Sequence, residues 1–291
     1  MDYGLCLPNF RDGASREGIE AGAETAARLG WSTVWTTDHV MVPTSAAEDY
    51  GTTFDAIEVL AWVGARVPSV RLATSVIVVP QRNAVVLAKE LSTLDALSGG
   101  RLIAGVGAGW NEDEFRNLGA ADRFHVRGAY LDETIDLWRH LWSGSTEPFH
   151  GRFNDIEDFV FSPLPAQGAS VPIVVGGRAD PALRRAALKG DWYHSSSTSP
   201  GSYARRVPVI KAAAVAAGRQ MPRMTTRAWV EFGETGEDHW SIRGTPDAMA
   251  AEVRKFADIG VDHIGLWFAT TDPRELVDGM ERFDREVAPL V

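Results

Sequence analysis

A histidine next to an aspartate is the best candidate in the sequence for acid–base chemistry. Asp38 and His39 directly follow the short apolar run Thr33–Thr36. Imidazole exchanges a proton near neutral pH, and a neighbouring carboxylate such as that of Asp38 could tune it. The alternative is a histidine that ends a strand and bonds only to the backbone. A position at the end of a barrel strand would favour the catalytic interpretation.

Three closely spaced glycines mark a second candidate. The apolar run Leu102–Val106 leads into Gly107, Ala108 and Gly109, with Gly105 inside the run. Such spacing lets the backbone turn sharply and approach a ligand, and a helix N-terminus nearby suits an anionic or carbonyl group. The spacing fits neither a Walker loop nor the dinucleotide fingerprint. Close packing of strand on helix is the alternative explanation.

Three carboxylates follow this turn. Asn111 is typical of a helix N-cap, and Glu114 stands three residues later, as in a capping box. With Glu112 and Asp113 it resembles a catalytic carboxylate cluster. Acidic residues stabilise the first turn of any helix, so we interpret all three as helix-start residues.

A second glycine-rich turn predicts a phosphate site. Gly176, Gly177 and Arg178 precede a helix start at Asp180 and Pro181, with Asp180 as the expected cap. Free N–H groups, a helix N-terminus and a guanidinium together suit a phosphate. The alternative is a plain strand-to-helix turn with a solvated arginine, because Asp180 would repel a phosphate that came too close.

Composition excludes several classes of protein. The net charge is −10 and the pI about 5.2, which disfavours nucleic-acid binding. The histidines lack metal-ligand spacing, so no metal site is predicted. The one cysteine, Cys6, lies in an apolar run and is expected to be a buried, inert thiol. We see no leader or membrane-spanning run, and expect a cytoplasmic protein without nucleic-acid or membrane partners.

Eight strand candidates alternate with about eight helices, which predicts parallel βα units. They are Tyr3–Leu7, Thr33–Thr36, Arg71–Val79, Leu102–Val106, Pro172–Val175, Asp191–His194, Thr226–Phe232 and His263–Phe268. We predict a (β/α)₈ TIM barrel, one domain over residues 1–291, with an excursion around residues 143–170. An open doubly wound sheet would be expected to carry a nucleotide fingerprint after its first strand. In a barrel, the candidate residues above meet at the C-terminal ends of the strands.

At this point the sequence resembles the bacterial luciferase-like monooxygenase superfamily, in particular its coenzyme F420-dependent branch. The most specific match runs from Leu87-Ala88-Lys89 through Ser98-Gly99-Gly100-Arg101-Leu102 to Trp110 and Glu114-Phe115. Further matches are Arg127-Gly128, Gly176-Gly177 and Gly244-Thr245-Pro246.

The resemblance implies a barrel, usually a homodimer, that binds a flavin-like ring across its strand ends. His39 would lie at the hydride-transfer face, and a cis peptide between Ser75 and Val76 would form a bulge behind the ring. The cofactor-binding residues it implies are Asp38, Ser75, Val76, Gly107, Ala108, Gly109, Gly176, Gly177 and Arg178.

One position departs from part of this branch. Trp110 stands where some F420-dependent dehydrogenases carry a proton-donating glutamate, which argues against a sugar-phosphate dehydrogenase. His39 and Trp110 are the candidate catalytic residues. We predict an F420-dependent oxidoreductase that transfers a hydride between the deazaflavin and a small organic substrate, with His39 as proton donor or acceptor. The alternatives are an FMN-dependent monooxygenase that uses reduced flavin and O₂, and a non-catalytic cofactor-binding barrel.

Overall fold

Eight parallel strands close into a barrel in the computed structural model, which describes residues 1–233 and 240–291. In chain order they are Asp2–Cys6, Thr33–Thr36, Arg71–Thr74, Leu102–Gly107, Ile173–Gly176, Trp192–Ser196, Arg223–Phe232 and Val261–Phe268. The first strand pairs with the second and the eighth, and the sixth pairs with the seventh, which closes the ring. The predicted (β/α)₈ barrel is confirmed.

The helices that follow the strands surround this barrel. The long ones are Arg16–Arg28, Ala56–Arg66, Ala84–Ser98, Arg127–Trp142, Asp180–Lys189, Val207–Ala216, Pro246–Asp258 and Pro273–Glu286. Shorter helices cover Ala47–Tyr50, Glu112–Asn117 and Pro200–Ala204. Pro200–Ala204 is separate from Val207–Ala216, and Pro208, which lacks an N–H donor, stands in the first turn of the latter helix.

The third strand candidate, Arg71–Val79, is interrupted. Arg71–Thr74 pairs with the second strand, and a separate short strand, Ile77–Val78, pairs with Val106 and Gly107. The peptide bond between Ser75 and Val76 lies between them and is cis, as the resemblance implied. A further short strand, Ser241–Gly244, lies beside the seventh barrel strand and was not expected.

The excursion contains a small hairpin of Phe149–His150 and Asp155–Ile156. The carboxylate of Glu133, on the helix Arg127–Trp142, accepts N–H bonds from Arg152, Phe153 and Asn154 at the turn of this hairpin. The one carboxylate of Glu133 thus accepts the backbone N–H groups of the turn, which have no carbonyl partner among the described residues.

Aromatic side chains fill much of the barrel interior. They include Trp35, Trp192, Trp229 and Trp267, which cluster with the buried Cys6. Burial raises the pKa of the Cys6 thiol to about 12, so it is inert as predicted. Throughout the two described ranges, no helix is both long and apolar enough to cross a membrane.

A histidine is built into the N-terminal part of the barrel. His263 is fully buried, and its Nδ1 donates to Asp2 Oδ2 over 2.9 Å. Its Nε2 accepts the indole N–H of Trp35 at 3.1 Å. Burial acts to raise the pKa of Asp2, but His263, Ser32 and Arg223 outweigh it and bring that pKa to about 2. Both ring nitrogens of His263 are therefore used to hold the first, second and eighth strands together.

Candidate active site

Two adjoining cavities open at the C-terminal ends of the strands. The glycine-lined cavity, about 610 Å³, takes its name from Gly107, Gly109, Gly176 and Gly177 and also contains Asp38, His39, Ala108 and Trp110. The aromatic cavity, about 400 Å³, is named for Phe10, Trp229 and Trp267. Both are lined by Tyr50, Ser75, Val76, Gly176, Gly177, Arg178 and Arg227. Every predicted cofactor-binding residue therefore lines one of these two cavities.

His39 is held by a carboxylate that is distant in sequence. Its Nδ1 donates to Glu114 Oε2 at 2.9 Å, and Glu114 Oε1 accepts the N–H of Val40 at 2.8 Å. Only 8% of His39 and 1% of Glu114 are exposed. Because two bonds fix the carboxylate, the imidazole has one orientation. Its Nε2 makes no hydrogen bond to any part of the chain that the structure describes, and the ring lines the glycine-lined cavity.

The charge on Glu114 is stabilised where it lies. Burial raises the pKa of Glu114, but its hydrogen bonds, the strongest of them from His39, outweigh burial and leave the pKa below its ordinary value. An ionised carboxylate favours the Nδ1–H tautomer of neutral imidazole and also stabilises the imidazolium. The pair can therefore hold or release a proton at Nε2.

The structure corrects two sequence interpretations here. The carboxylate that orients His39 is Glu114 and not the adjacent Asp38. Asn111 does cap the helix, with its side chain accepting the N–H of Glu114 at 3.1 Å, but the Glu114 carboxylate reaches His39. The available signal was helical phase, since residues 111, 114, 115 and 118 lie on one face and Phe115 on that face is fully buried.

Asp38 has a different set of partners. Its oxygens accept the N–H of Val78 at 2.9 Å and a guanidinium N–H of Arg82 at 2.7 Å. Arg82 also bonds Asp55 at 3.0 Å, so this arginine is committed to the protein and unavailable to a ligand. Burial lowers the pKa of Arg82, but the two carboxylates outweigh it and raise the pKa. Asp38 thus lines the cavity while anchoring the short strand behind Val76.

The glycines make room for Val76. A Cβ on Gly107 would lie 2.6 Å from Val76 Cγ2, and a Cβ on Gly176 would lie 2.7 Å from Val76 Cγ1. The close-packing explanation for the glycines therefore applies at both positions. Because the Val76 side chain fills the gap between the fourth and fifth strands, the surface presented to the cavity is bare backbone, and a flat ring can lie against it.

Arginines line the cavity beside the turn at Gly176 and Gly177. Arg178 is exposed and lines both cavities. Arg185 is buried and bonds both oxygens of Asp132, at 2.7 and 3.1 Å. The helix Asp180–Lys189 has Ala179 at its cap position without a side-chain cap, so the expected capping by Asp180 is wrong. Arg178 is therefore the cation that the turn offers to an anion.

Trp110 forms part of the wall beside His39. Its ring centre lies 6.2 Å from that of His39 and 6.3 Å from that of Tyr50, and 60% of the residue is exposed. The His39 and Tyr50 rings are 4.0 Å apart. An indole N–H donates a hydrogen bond but does not release its proton near neutral pH, so Trp110 can shield the imidazole and contact a ligand but supplies no acid.

A neutral histidine lies below the cis peptide. His194 Nε2 is 3.0 Å from Ser75 Oγ, and its Nδ1 is 2.9 Å from Thr225 Oγ1. Burial, helped by the charge of Arg227, holds the pKa of His194 well below its ordinary value. Within residues 1–233 and 240–291, no group of three or more metal-ligating side chains comes together. Of the two described histidines that line the glycine-lined cavity, His125 is exposed and His39 is buried and held by Glu114, so His39 is the oriented acid–base candidate.

A (β/α)₈ barrel with one oriented acid–base histidine beside a backbone-lined cavity is the architecture of a cofactor-using barrel enzyme. A model of the luciferase-like monooxygenase family matches residues 1–243. The chain belongs to the luciferase-like monooxygenase family.

The chain is similar to one uncharacterised protein and to two enzymes that use different cofactors. The uncharacterised protein, from Mycobacterium tuberculosis, is 33% identical over 214 residues, 69% of this chain and 72% of the relative. The F420-dependent glucose-6-phosphate dehydrogenase of Nocardia farcinica is 26% identical over 281 residues, with 79% and 82% covered. The FMNH₂-dependent dimethylsulfone monooxygenase of Pseudomonas putida is 28% identical over 194 residues, with 63% and 53% covered.

The fold has close counterparts among solved structures. The coenzyme F420-dependent tetrahydromethanopterin reductase of Methanopyrus kandleri superposes with a TM-score of 0.81. The superposition covers 99% of this chain and 98% of that one at 16% sequence identity, so it supports the barrel fold alone.

Proposed function

We propose that this protein is an F420-dependent oxidoreductase that transfers a hydride between the deazaflavin and a small organic substrate. The observation that carries the proposal is the buried pair of His39 and Glu114, whose imidazole lines the glycine-lined cavity and whose Nε2 bonds to none of the described residues. The F420-dependent relative covers 79% of the chain, whereas the FMNH₂-dependent one covers 63%.

The cavity fits a flat cofactor with an anionic tail. Its volume of about 610 Å³ lies within the roughly 300–1,000 Å³ of small-molecule sites. The backbone at Gly107 to Gly109 and the bulge at Ser75 and Val76 would support the ring. The turn at Gly176 and Gly177, with Arg178, would hold the phosphate.

The chain's own contribution is positioning and proton transfer, while the bound deazaflavin supplies the hydride chemistry. His39 Nε2 gives or takes the substrate proton, and Glu114 fixes the ring and stabilises the imidazolium. Trp110 and Tyr50 flank the imidazole and exclude water from it. Asp38 acts indirectly, because its two oxygens hold Val78 and Arg82 and so keep the bulge behind the ring in place.

A second candidate is an FMN-dependent monooxygenase. The observation that favours it is the FMNH₂-dependent relative named above. The two candidates differ in oxygen use, because reduced flavin reacts with O₂ whereas a reduced deazaflavin does so poorly.

The deciding experiment is titration of the purified protein with F420 and, separately, with FMN, at two salt concentrations. Tight binding of F420 without O₂ consumption supports the proposal, and Arg178→Ala should then weaken F420 binding about tenfold and flatten its salt dependence. Binding of FMN alone, followed by O₂ consumption, would replace it with the second candidate. Binding without turnover on any substrate would favour the non-catalytic barrel.

We also propose a homodimer. An apolar groove of about 340 Å³ runs between the helices Ala56–Arg66 and Ala84–Ser98, and Leu97 at its edge is 85% exposed. A second copy would cover this face. Sedimentation velocity should show a dimer that Leu97→Glu dissociates and that Val160→Glu, at an equally exposed site on the excursion, leaves intact.

A further inference from the structure

Arg227 is a buried arginine that the proposed mechanism does not use. It lies on the seventh barrel strand, Arg223–Phe232, opposite Ser196 of the sixth. Only 9% of the residue is exposed. Its Nε donates to Ser196 Oγ at 3.0 Å and one terminal nitrogen donates to Thr37 Oγ1 at 2.9 Å. The side chain lines both cavities.

No carboxylate of the described residues pairs with this guanidinium. Among the ion pairs of residues 1–233 and 240–291, none includes Arg227, whereas Arg82 and Arg185 each have carboxylate partners. Two titratable groups whose pKa the charge of Arg227 lowers are neutral, since burial raises the pKa of Cys6 to about 12 and holds that of His194 well below its ordinary value. A buried charge without a counter-charge is costly, and two hydroxyl acceptors offset only part of that cost.

The aromatic cavity also has more positive than negative side chains in its described lining. Arg11, Arg178 and Arg227 line the aromatic cavity, and none of the described Asp or Glu residues does. Arg11 pairs with Asp49 outside the cavity lining, which leaves the excess of positive charge at Arg178 and Arg227. The cavity is thus basic in a chain whose net charge is −10.

Aromatic rings form one part of the wall of the aromatic cavity. Phe10 and Trp267 are stacked with ring centres 4.7 Å apart, and the Arg227 guanidinium carbon lies 5.7 and 5.8 Å from these two rings. Aromatic faces beside a cation suit a planar ligand that ends in an anionic group.

We infer that the aromatic cavity binds the substrate as a small planar molecule with one carboxylate or equivalent anionic group, and that Arg227 pairs with that group. This inference rests on the proposed function only in calling the ligand the substrate. The cavity adjoins the one that contains His39, and the two share Val76 and Gly177, so a ligand anchored at Arg227 would lie beside the cofactor face.

The test uses a matched pair of probes, 2-naphthoate and its neutral analogue 2-naphthamide. Isothermal titration calorimetry on the protein without cofactor should give at least tenfold tighter binding of the carboxylate. Arg227→Met should reduce this preference to threefold or less, and Arg227→Lys should retain part of it, because a point charge replaces the two-nitrogen fork. Arg285→Met, at an exposed arginine on the last helix, should keep the full preference.

Equal binding of the two probes by the wild-type protein would overturn the inference, as would an undiminished preference in Arg227→Met. Circular dichroism checks that Arg227→Met folds. If Arg227→Met does not fold, the anion preference of Arg227→Lys tests the inference. F420 titration of the same proteins separates the two proposals. F420 binding without an anion preference contradicts only the inference, and an anion preference without F420 binding contradicts only the proposed function. If Arg227→Met loses affinity for F420 but still prefers 2-naphthoate to 2-naphthamide, the Arg227 guanidinium binds the cofactor and the inference is wrong.

Discussion

Two histidines in different parts of the barrel each donate from Nδ1 to a carboxylate over 2.9 Å. His263 gives this bond to Asp2, and His39 gives it to Glu114. They differ at the second nitrogen, since Nε2 of His263 accepts the indole N–H of Trp35, while Nε2 of His39 bonds to none of the described residues and the ring lines a cavity. A histidine–carboxylate pair is therefore no sign of catalysis by itself. The nitrogen left open to a cavity is what allows proton transfer.

The largest effect should come from removing His39. His39→Ala should lower turnover about 100-fold or more, because general acid–base groups contribute ~10²–10⁴ to the rate. F420 affinity should change little, whereas the melting temperature should fall, because the buried Glu114 carboxylate loses its bond to His39. Steady-state kinetics with F420 measures this, and turnover within threefold of wild type would contradict the proton role.

His263→Ala should lower stability without lowering turnover. Removing the ring opens a cavity, leaves the buried Trp35 indole N–H unpaired and takes one hydrogen bond from Asp2, so the free energy of unfolding should fall by about 2–3 kcal/mol. Urea denaturation measures the loss. Turnover per folded molecule should match wild type, and a catalytic defect with normal stability would erase the contrast between the two histidines.

Glu114→Gln tests the positioning carboxylate. The amide keeps an oxygen for His39 but loses the charge, so turnover should fall about tenfold, with a larger effect on kcat than on KM. In the double variant with His39→Ala, no further loss of turnover is expected, because Glu114 acts through His39. Losses that add in the double variant would leave Glu114 a merely structural role.

Asp2→Asn should have a smaller effect that depends on pH. The folded-state pKa of about 2 lies below the ordinary 3.8, so the carboxylate contributes stability above pH 3.8 that is lost as pH falls through 2. After allowance for solvent at this partly exposed group, the variant should be about 1 kcal/mol less stable at pH 7. The difference should shrink toward pH 2 in thermal melts. A stability difference between variant and wild type that stays constant with pH would argue against stabilisation by the ionised Asp2 carboxylate.

Trp110→Phe should change least. The substitution keeps an aromatic ring beside His39 and removes only the indole N–H, a hydrogen-bond donor, so turnover should stay within about threefold of wild type. Stability should be unchanged because the residue is mostly exposed. A loss as large as that of His39→Ala would show that Trp110 takes part in proton transfer, and Trp110→Ala would then separate shape from chemistry.

The sequence predicted the barrel because each strand is a short apolar run closed by glycine, proline or a polar turn. It missed the break after Thr74, since Arg71–Val79 is a continuous β-branched run with no local signal for one. It also missed Ser241–Gly244, which is short and half polar. The one-domain organisation of residues 1–291 stays a prediction.

The candidate site was predicted less completely, because its contacts are long-range. Strand ends located His39 and the glycine turns, while the cis peptide came only from the resemblance. Glu114 was undervalued because it looks locally like Glu112 and Asp113, and only the fold brings it to His39. Arg227 was missed because an arginine in an alternating strand looks solvent-facing until closure of the barrel turns it inward.

Cys6 gives the barrel a built-in reporter of its own opening. It is the one cysteine in the chain, 3% exposed and held as the neutral thiol. Thiol reagents attack the thiolate, so they should label Cys6 of the native protein only during transient openings that separate the first strand from its neighbours. The alkylation rate of the unmodified protein would then measure how often the closed ring breaks, and its slowing on addition of a ligand would give the binding energy without any assay of turnover.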